Sequence, residues 1–213
     1  MALDFTAARV NMVDNQVRTN DVTDLPIQDA MRVVRRERFC PPGKQYLAYA
    51  EVDVEYAPGW RLMQPRDVSK LLQAIFPLKG ERALAIAAPY AAAVLAEIGL
   101  EVTAIQPQGP AFEAAQAGLE GSGVKLLAGD LRQVGQGGPY KVIITEGAVC
   151  KAPDSWTAAL DLGGRLAVVE REGPVGRGRL YLRAEDGMMG RRDLFDSGVP
   201  FMPGFEPQPA FSF

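Results

Sequence analysis

The chain has no histidine. That removes Ser-His-Asp and Cys-His catalysis and every histidine-based metal site. Any chemistry must run through carboxylates, hydroxyls, amines or positioning alone. Cysteine is scarce too: Cys40 and Cys150 lie far apart in sequence and make no metal-ligand pattern. Two thiols in 213 residues are expected to be reduced and buried, which places the protein in a cytoplasm. No apolar run approaches the roughly 18–20 residues that cross a bilayer. Met1-Ala2-Leu3-Asp4 has neither the basic nor the apolar region of a signal peptide. The formal net charge of −3 gives no reason to expect nucleic acid or an anionic membrane as a partner. There is no internal repeat and no low-complexity linker.

At 47% hydrophobic and 23% charged, the composition is that of an ordinary globular protein, long enough for one domain with a good core. The organising stretch is Arg82 to Leu95. Arg82 to Ala87 reads as a short buried strand and Tyr90 through Ile98 as a helix, with Gly99 suited to the left-handed stop beyond it. A strand running into a helix is the first unit of a doubly wound α/β fold. The turn between the two is where such folds bind nucleotides, because helix N–H groups point outward there. Here that turn is Ala87-Ala88-Pro89, without a glycine.

Ahead of this unit, residues 4–19 read as a helix with Phe5, Val10, Val13 and Val17 on its buried face. Asp24 is a plausible N-cap for a second helix, with Pro26 in the first turn and Ile27, Ala30, Met31 and Val34 at helical spacing. Arg32, Arg35, Arg36 and Arg38 read as a solvated face, with an anion or partner site as the alternative. Tyr46 to Tyr56 reads as extended, and Gly59 to Gln64 as a loop. Pro65 opens a third helix whose face carries Val68, Leu71, Leu72 and Ile75, and Pro77 closes it.

Beyond Gly80, strands are expected at Glu101–Ile105, Val124–Leu127, Tyr140–Thr145, Arg165–Val169, Arg179–Arg183 and Arg191–Asp196. Helices are expected at Ala111–Leu119 and from Pro153 through Leu160. This alternation predicts a mostly parallel sheet covered on both faces, with an antiparallel end. The expected organisation is one domain over 1–213: a helical annex at 1–78, a core at 79–199 and an extended Pro/Phe tail at 200–213 that packs its aromatics on the body.

In this order the chain resembles the protein-L-isoaspartate O-methyltransferases over nearly its whole length. The resemblance is carried by Met12 through Arg18, Ala30 through Phe39, Ala48-Tyr49-Ala50, Pro139 through Thr145, Leu162 through Leu166, and Leu194 through Phe205 with the aromatic end. It implies a Rossmann-like class I methyltransferase fold with a seven-stranded sheet, S-adenosylmethionine as cofactor, and a protein or peptide substrate. A substrate carboxylate is already ionised near neutral pH and attacks a sulfonium methyl without a general base. Such chemistry suits a chain without histidine.

Within the resemblance, the cofactor positions fall on Ala85, Ala87, Ala88, Tyr90, Gln106, Asp130 and Glu146, and the acceptor loop on Arg61, Met63 and Gln64. Several depart from the family. Its acidic strand residue is Ala85, and its glycine turn is Ala87-Ala88-Pro89, about two residues shorter. The carboxylate that holds the ribose hydroxyls is Gln106, and an acceptor-side serine is Met63. Each lost charge-assisted hydrogen bond is worth roughly 1.5–3 kcal/mol, so two losses predict cofactor binding weakened by about 100-fold or more.

Asp130 fits either the adenine amino group or a turn cap. Glu146 fits either the ligand-binding edge of the sheet or a solvated loop acid. Arg61 fits either attraction of a carboxylate or an ordinary surface arginine. No residue stands out as catalytic and none as a metal ligand. The expectation is a methyltransferase-like pseudoenzyme with cofactor binding weakened or lost. The alternative is an active S-adenosylmethionine-dependent carboxyl O-methyltransferase with a rebuilt turn, acting on L-isoaspartyl residues or another acceptor.

Overall fold

The computed structural model describes residues 4–134 and 137–208. Helix α1, Phe5–Met12, starts at Asp4, whose carboxylate accepts the N–H groups of Thr6 and Ala7 at 3.0 Å each. The helix expected over 4–19 is not uniform. A wider π turn covers Val13–Val17 and a tight 3-10 turn covers Arg18–Asn20. Val13 and Val17 are buried, but Val10 is 41% exposed. The inward face of α1 instead carries Arg9, held by the carbonyl of Arg32 and the hydroxyl of Tyr49. A pattern of apolar residues could not register a buried arginine.

Helix α2, Leu25–Val33, is capped as expected: Asp24 accepts the Ile27 N–H at 3.0 Å, and Ile27, Ala30 and Met31 are buried. Arg35 and Arg38 then face solvent, but Arg36 does not, which corrects the solvated-face expectation. The 3-10 turn Arg36–Phe39 swings its guanidinium inward, where Nε donates to the carbonyl of Ala48 at 2.8 Å and Nη2 to that of Met63. The expected extended run Tyr46–Tyr56 is mostly turns, with a 3-10 segment at Gln45–Leu47 and a strand, β1, only over Val54–Ala57. The expected loop 59–64 contains its antiparallel partner β2, Trp60–Leu62, with Gly59 at φ 78 in the hairpin turn. Helix α3, Pro65–Ile75, begins on its proline as expected and buries Val68, Leu71, Leu72 and Ile75.

The main sheet is built from β3 (Arg82–Ile86), β4 (Glu101–Gln106), β5 (Lys125–Ala128), β6 (Tyr140–Val149), β7 (Leu160–Arg171), β8 (Gly176–Arg183) and β9 (Met189–Ser197). Its order is β5-β4-β3-β6-β7-β8-β9. The first five of these run parallel, and β8 and β9 form the expected antiparallel end. Between them lie α4 (Pro89–Ile98), α5 (Pro110–Leu119) and α6 (Asp154–Ala158), and Gly99 at φ 102 ends α4 as expected. The helix expected through Leu160 stops at Ala158, because Leu160 already pairs with Tyr140 at the start of β7.

Helices α3, α4 and α5 pack on one face of the sheet, and α2 packs on α4. The other face is covered by Trp156 of α6, by Leu131 and Val134, and by Met202 and Phe205 of the tail. The tail is a strap over its described part. Met202 N–H donates to the carbonyl of Ala148 at 2.8 Å, Cys150 N–H to that of Phe205 at 2.8 Å, and the Phe205 ring lies 5.6 Å from Trp156. Gly147 has to be glycine: it sits at φ 126, and a Cβ there would lie 2.5 Å from Met202 Cγ. Residues 209–213 of the expected strap lie outside the described residues. Both cysteines are free; Cys40 is buried, which pushes its thiol up to about 11, and Cys150 is half-buried.

Candidate functional site

The strand order reverses between β3 and β6, and in a doubly wound sheet the ligand crevice opens there, beyond the carboxyl ends of the strands. The turn on its floor keeps a left-handed residue, but that residue is an alanine: Ala87 has φ 48 and donates its N–H to the carbonyl of Ile105 at 3.0 Å. Holding an L-residue left-handed costs roughly 1–2 kcal/mol. Ala88 then precedes α4 and offers no side-chain cap, and Pro89 takes the first helical position. The free N–H groups of the first turn therefore need an acceptor from elsewhere.

Glu146 of β6 supplies it. One carboxylate oxygen accepts the Ala91 N–H at 2.9 Å and the other accepts the Met63 N–H at 3.1 Å. Glu146 is 1% exposed, which corrects the solvated-acid reading. Burial raises its carboxyl above the ordinary range; the Arg36 charge and the backbone N–H groups pull the other way without cancelling it. Arg36 lies with its guanidinium carbon 4.6 Å from the Tyr90 ring centre, and Phe39 meets the same ring edge-on at 5.9 Å. Gln106 is buried and accepts from the Tyr56 hydroxyl at 3.1 Å. Arg36 Nη1, Tyr90 Oη, Gln106 Nε2 and Thr145 Oγ1 are buried with no hydrogen-bond partner among the described residues.

The expected cofactor positions thus gather in one place, except for Asp130. Ala85, Ala87, Ala88, Tyr90 and Gln106 are each 0% exposed. Asp130 is exposed beyond β5, where its carboxylate accepts the Arg132 N–H at 2.8 Å, the turn-cap geometry. It borders a cavity of about 260 Å³ lined by Leu84, Thr103, Ile105, Leu127 and Val134. Of the acceptor-loop residues, Met63 is fully buried and tied to Glu146. Arg61 and Gln64 are half-buried at the rim, with the Gln64 N–H bonded to Asp53 at 2.9 Å. Sequence reading missed Arg36, Tyr56 and Thr145 as parts of this site. Thr145 could have been found from its neighbour Glu146 at the end of the expected strand, and Arg36 from the anion-site alternative for its basic cluster; Tyr56 gave no local signal.

Sheet order, crevice and the helices on both faces define a Rossmann-like class I methyltransferase fold. A family model for protein-L-isoaspartate(D-aspartate) O-methyltransferase matches residues 8–190. The chain is 34% identical over 210 residues to a protein-L-isoaspartate O-methyltransferase of Methylorubrum extorquens, covering 94% of this chain and 89% of that one. It is 36% identical over 173 residues to protein-L-isoaspartate O-methyltransferase 1 of Rhodopseudomonas palustris, covering 78% and 71% respectively. The fold is similar to that of a Plasmodium falciparum protein described as a protein-L-isoaspartate O-methyltransferase, solved with S-adenosyl-L-homocysteine. The TM-score there is 0.78 at 16% identity, over 91% of this chain and 97% of that one. This chain belongs to the protein-L-isoaspartate O-methyltransferase family. Among the described residues no helix is long and apolar enough to cross a membrane.

Proposed function

We propose that this chain is a member of the isoaspartyl methyltransferase family that has kept the fold and lost most or all binding of S-adenosylmethionine, and that it works by binding or scaffolding a protein partner. The observation that carries this reading is burial. Ala85, Ala87, Ala88, Tyr90 and Gln106 have no accessible surface, and Glu146 has 1%. A cofactor the size of S-adenosylmethionine needs a concave site of roughly 300–1,000 Å³. The residues present do not fit it. Alanine methyls stand where a close backbone approach is needed, the N–H groups opening α4 are bound to Glu146, and Gln106 is engaged by Tyr56.

A second reading, a working carboxyl methyltransferase on isoaspartyl residues or another acceptor, is favoured by one feature. Asp130 stays exposed beside the cavity of about 260 Å³, so one ring-sized part of a ligand has room there. Titration calorimetry of the full chain with S-adenosylmethionine tests the first reading. No heat of binding at micromolar concentration is expected. Clear micromolar binding overturns it, and methyl transfer to an isoaspartyl peptide would then establish the second reading.

A further inference from the structure

With Arg36 turned inward, Arg35 and Arg38 of the basic cluster stay outside, and they share a cavity. The Arg38 N–H donates to the carbonyl of Arg35 at 3.0 Å, closing a 3-10 turn. Side chains three apart in such a turn eclipse one another, so both stand on one side of it. There they border a cavity of about 240 Å³ between the end of α2, the last turns of α4 and the end of α5. Its floor is apolar, formed by Val33, Val34, Phe39, Ala93 and Ala96. Val33 is 56% exposed, so this floor is open to water. It is also fixed in shape. The Phe39 ring meets Tyr90 edge-on and lies against Gly118, where a Cβ would be 2.4 Å from Phe39 Cδ1.

Opposite charges line the same space. Arg38 is engaged by the Ala117 carbonyl at 3.4 Å and the Glu120 carboxylate at 3.6 Å. Arg35 uses only Nε, on Glu37 at 3.1 Å, which leaves both Nη groups without a partner among the described residues. Across the cavity the exposed Glu97 carboxylate has no ion-pair or hydrogen-bond partner among the described residues either. Arg35 and Glu97 stand too far apart to pair with each other. One unused cation and one unused carboxylate therefore face each other over an apolar floor.

We propose that this cavity binds a free α-amino acid with an apolar side chain, such as leucine or phenylalanine. The ligand carboxylate meets the Nη groups of Arg35, its ammonium meets Glu97, and its side chain covers Val33, Phe39 and Ala96. A zwitterion supplies both missing charges in one small molecule, each through a charge-assisted hydrogen bond. A simple anion or cation supplies one, and a residue inside a peptide supplies neither. The size agrees, since drug-sized ligands take roughly 300–1,000 Å³ and this space is smaller. The cavity lies at the end of α4 away from the crevice, so this inference does not rest on the crevice being closed.

The test is titration of the isotope-labelled full-length chain with L-leucine, followed at the amides of Ala96, Glu97, Gly118 and Gly121 by two-dimensional NMR. Saturable shifts confined to this region are expected. N-acetyl-leucine and leucinamide each lack one charge and should bind roughly three- to tenfold more weakly, and N-acetyl-leucinamide more weakly still. Arg35→Gln should lose the preference for leucine over leucinamide, and Glu97→Gln the preference for leucine over N-acetyl-leucine. The Glu97→Gln arm stands alone if Arg35→Gln fails to fold, because Glu97 is exposed and unpaired. The proposal is overturned by the absence of saturable shifts up to about 10 mM leucine. N-acetyl-leucinamide binding as tightly as leucine overturns it too, as does a Glu97→Gln chain that ranks the analogues as the wild type does. Titration with S-adenosylmethionine reads the other end of α4, so the two experiments fail independently.

Discussion

Ala85 and Ala87 offer a matched pair for measuring the strain in the crevice floor. Both are 0% exposed and stand two residues apart, but Ala85 lies in the extended backbone of β3 whereas Ala87 has φ 48. Replacing either by glycine removes one buried methyl, worth about 1 kcal/mol, and loosens the unfolded chain by about 0.4–1 kcal/mol. Ala85→Gly should therefore lose roughly 1.5–2 kcal/mol. Ala87→Gly loses the same contributions but is relieved of roughly 1–2 kcal/mol of left-handed strain, so its net loss should fall between about −0.5 and 1 kcal/mol. The predicted gap is about 1–2 kcal/mol, which at roughly 2–4 °C per kcal/mol is a Tm difference of about 2–8 °C. Urea unfolding of both variants, compared at equal m-values, reads it directly. Equal losses would refute the reasoning, because the turn would then hold no strain that glycine relieves.

Three other outcomes follow from named contacts. Glu146 has a carboxyl raised by burial, so the folded state binds its proton more tightly than the unfolded state does. Its contribution to stability is full below the ordinary carboxyl range and is lost as pH rises through the folded value. Subtracting the Glu146→Gln curve from the wild-type curve should leave a stability difference that falls with pH from about 4.5 upward; a flat or rising difference contradicts the burial argument. Gly118 has no room for a side chain, since a Cβ would sit 2.4 Å from Phe39 Cδ1. Gly118→Ala should cost about 1–3 kcal/mol in urea unfolding by overpacking, and a neutral result would mean that the Phe39 ring yields. Glu170, 4% exposed, is bonded by Arg179, the Tyr181 hydroxyl and the Ala152 N–H. Arg179→Ala should destabilise by about 2–4 kcal/mol, less than the ~3–5 kcal/mol of a pair broken outright, because two donors remain. A loss under ~0.5 kcal/mol, as for an exposed pair, would contradict this.

Much of the fold was legible because local chemistry and periodicity agreed. Asp24, Pro65 and Gly99 mark helix ends by their own conformational preferences, and the β-branched run Val142-Ile143-Ile144 needs burial on both faces. Errors came where polar groups go inside. Arg9 and Arg36 are buried because carbonyls and a tyrosine 12 to 40 residues away receive their N–H groups, and no window of sequence contains both partners. The β1–β2 hairpin was missed because its strands are four and three residues long, too short to show alternation. For the site, the altered turn and Gln106 could be read directly. That Glu146 closes the turn could not, since it requires β6 beside β3, a pairing set by the whole sheet.

The central claim is that the chain's own side chains fill the crevice where an adenosyl cofactor would lie. A crystal structure of the full-length protein grown with excess S-adenosyl-L-homocysteine tests this most directly. The account predicts Glu146 on the Ala91 and Met63 N–H groups and no adenosyl density against Ala87 and Ala88. Ordered density for the ligand there, with Glu146 displaced, would contradict it.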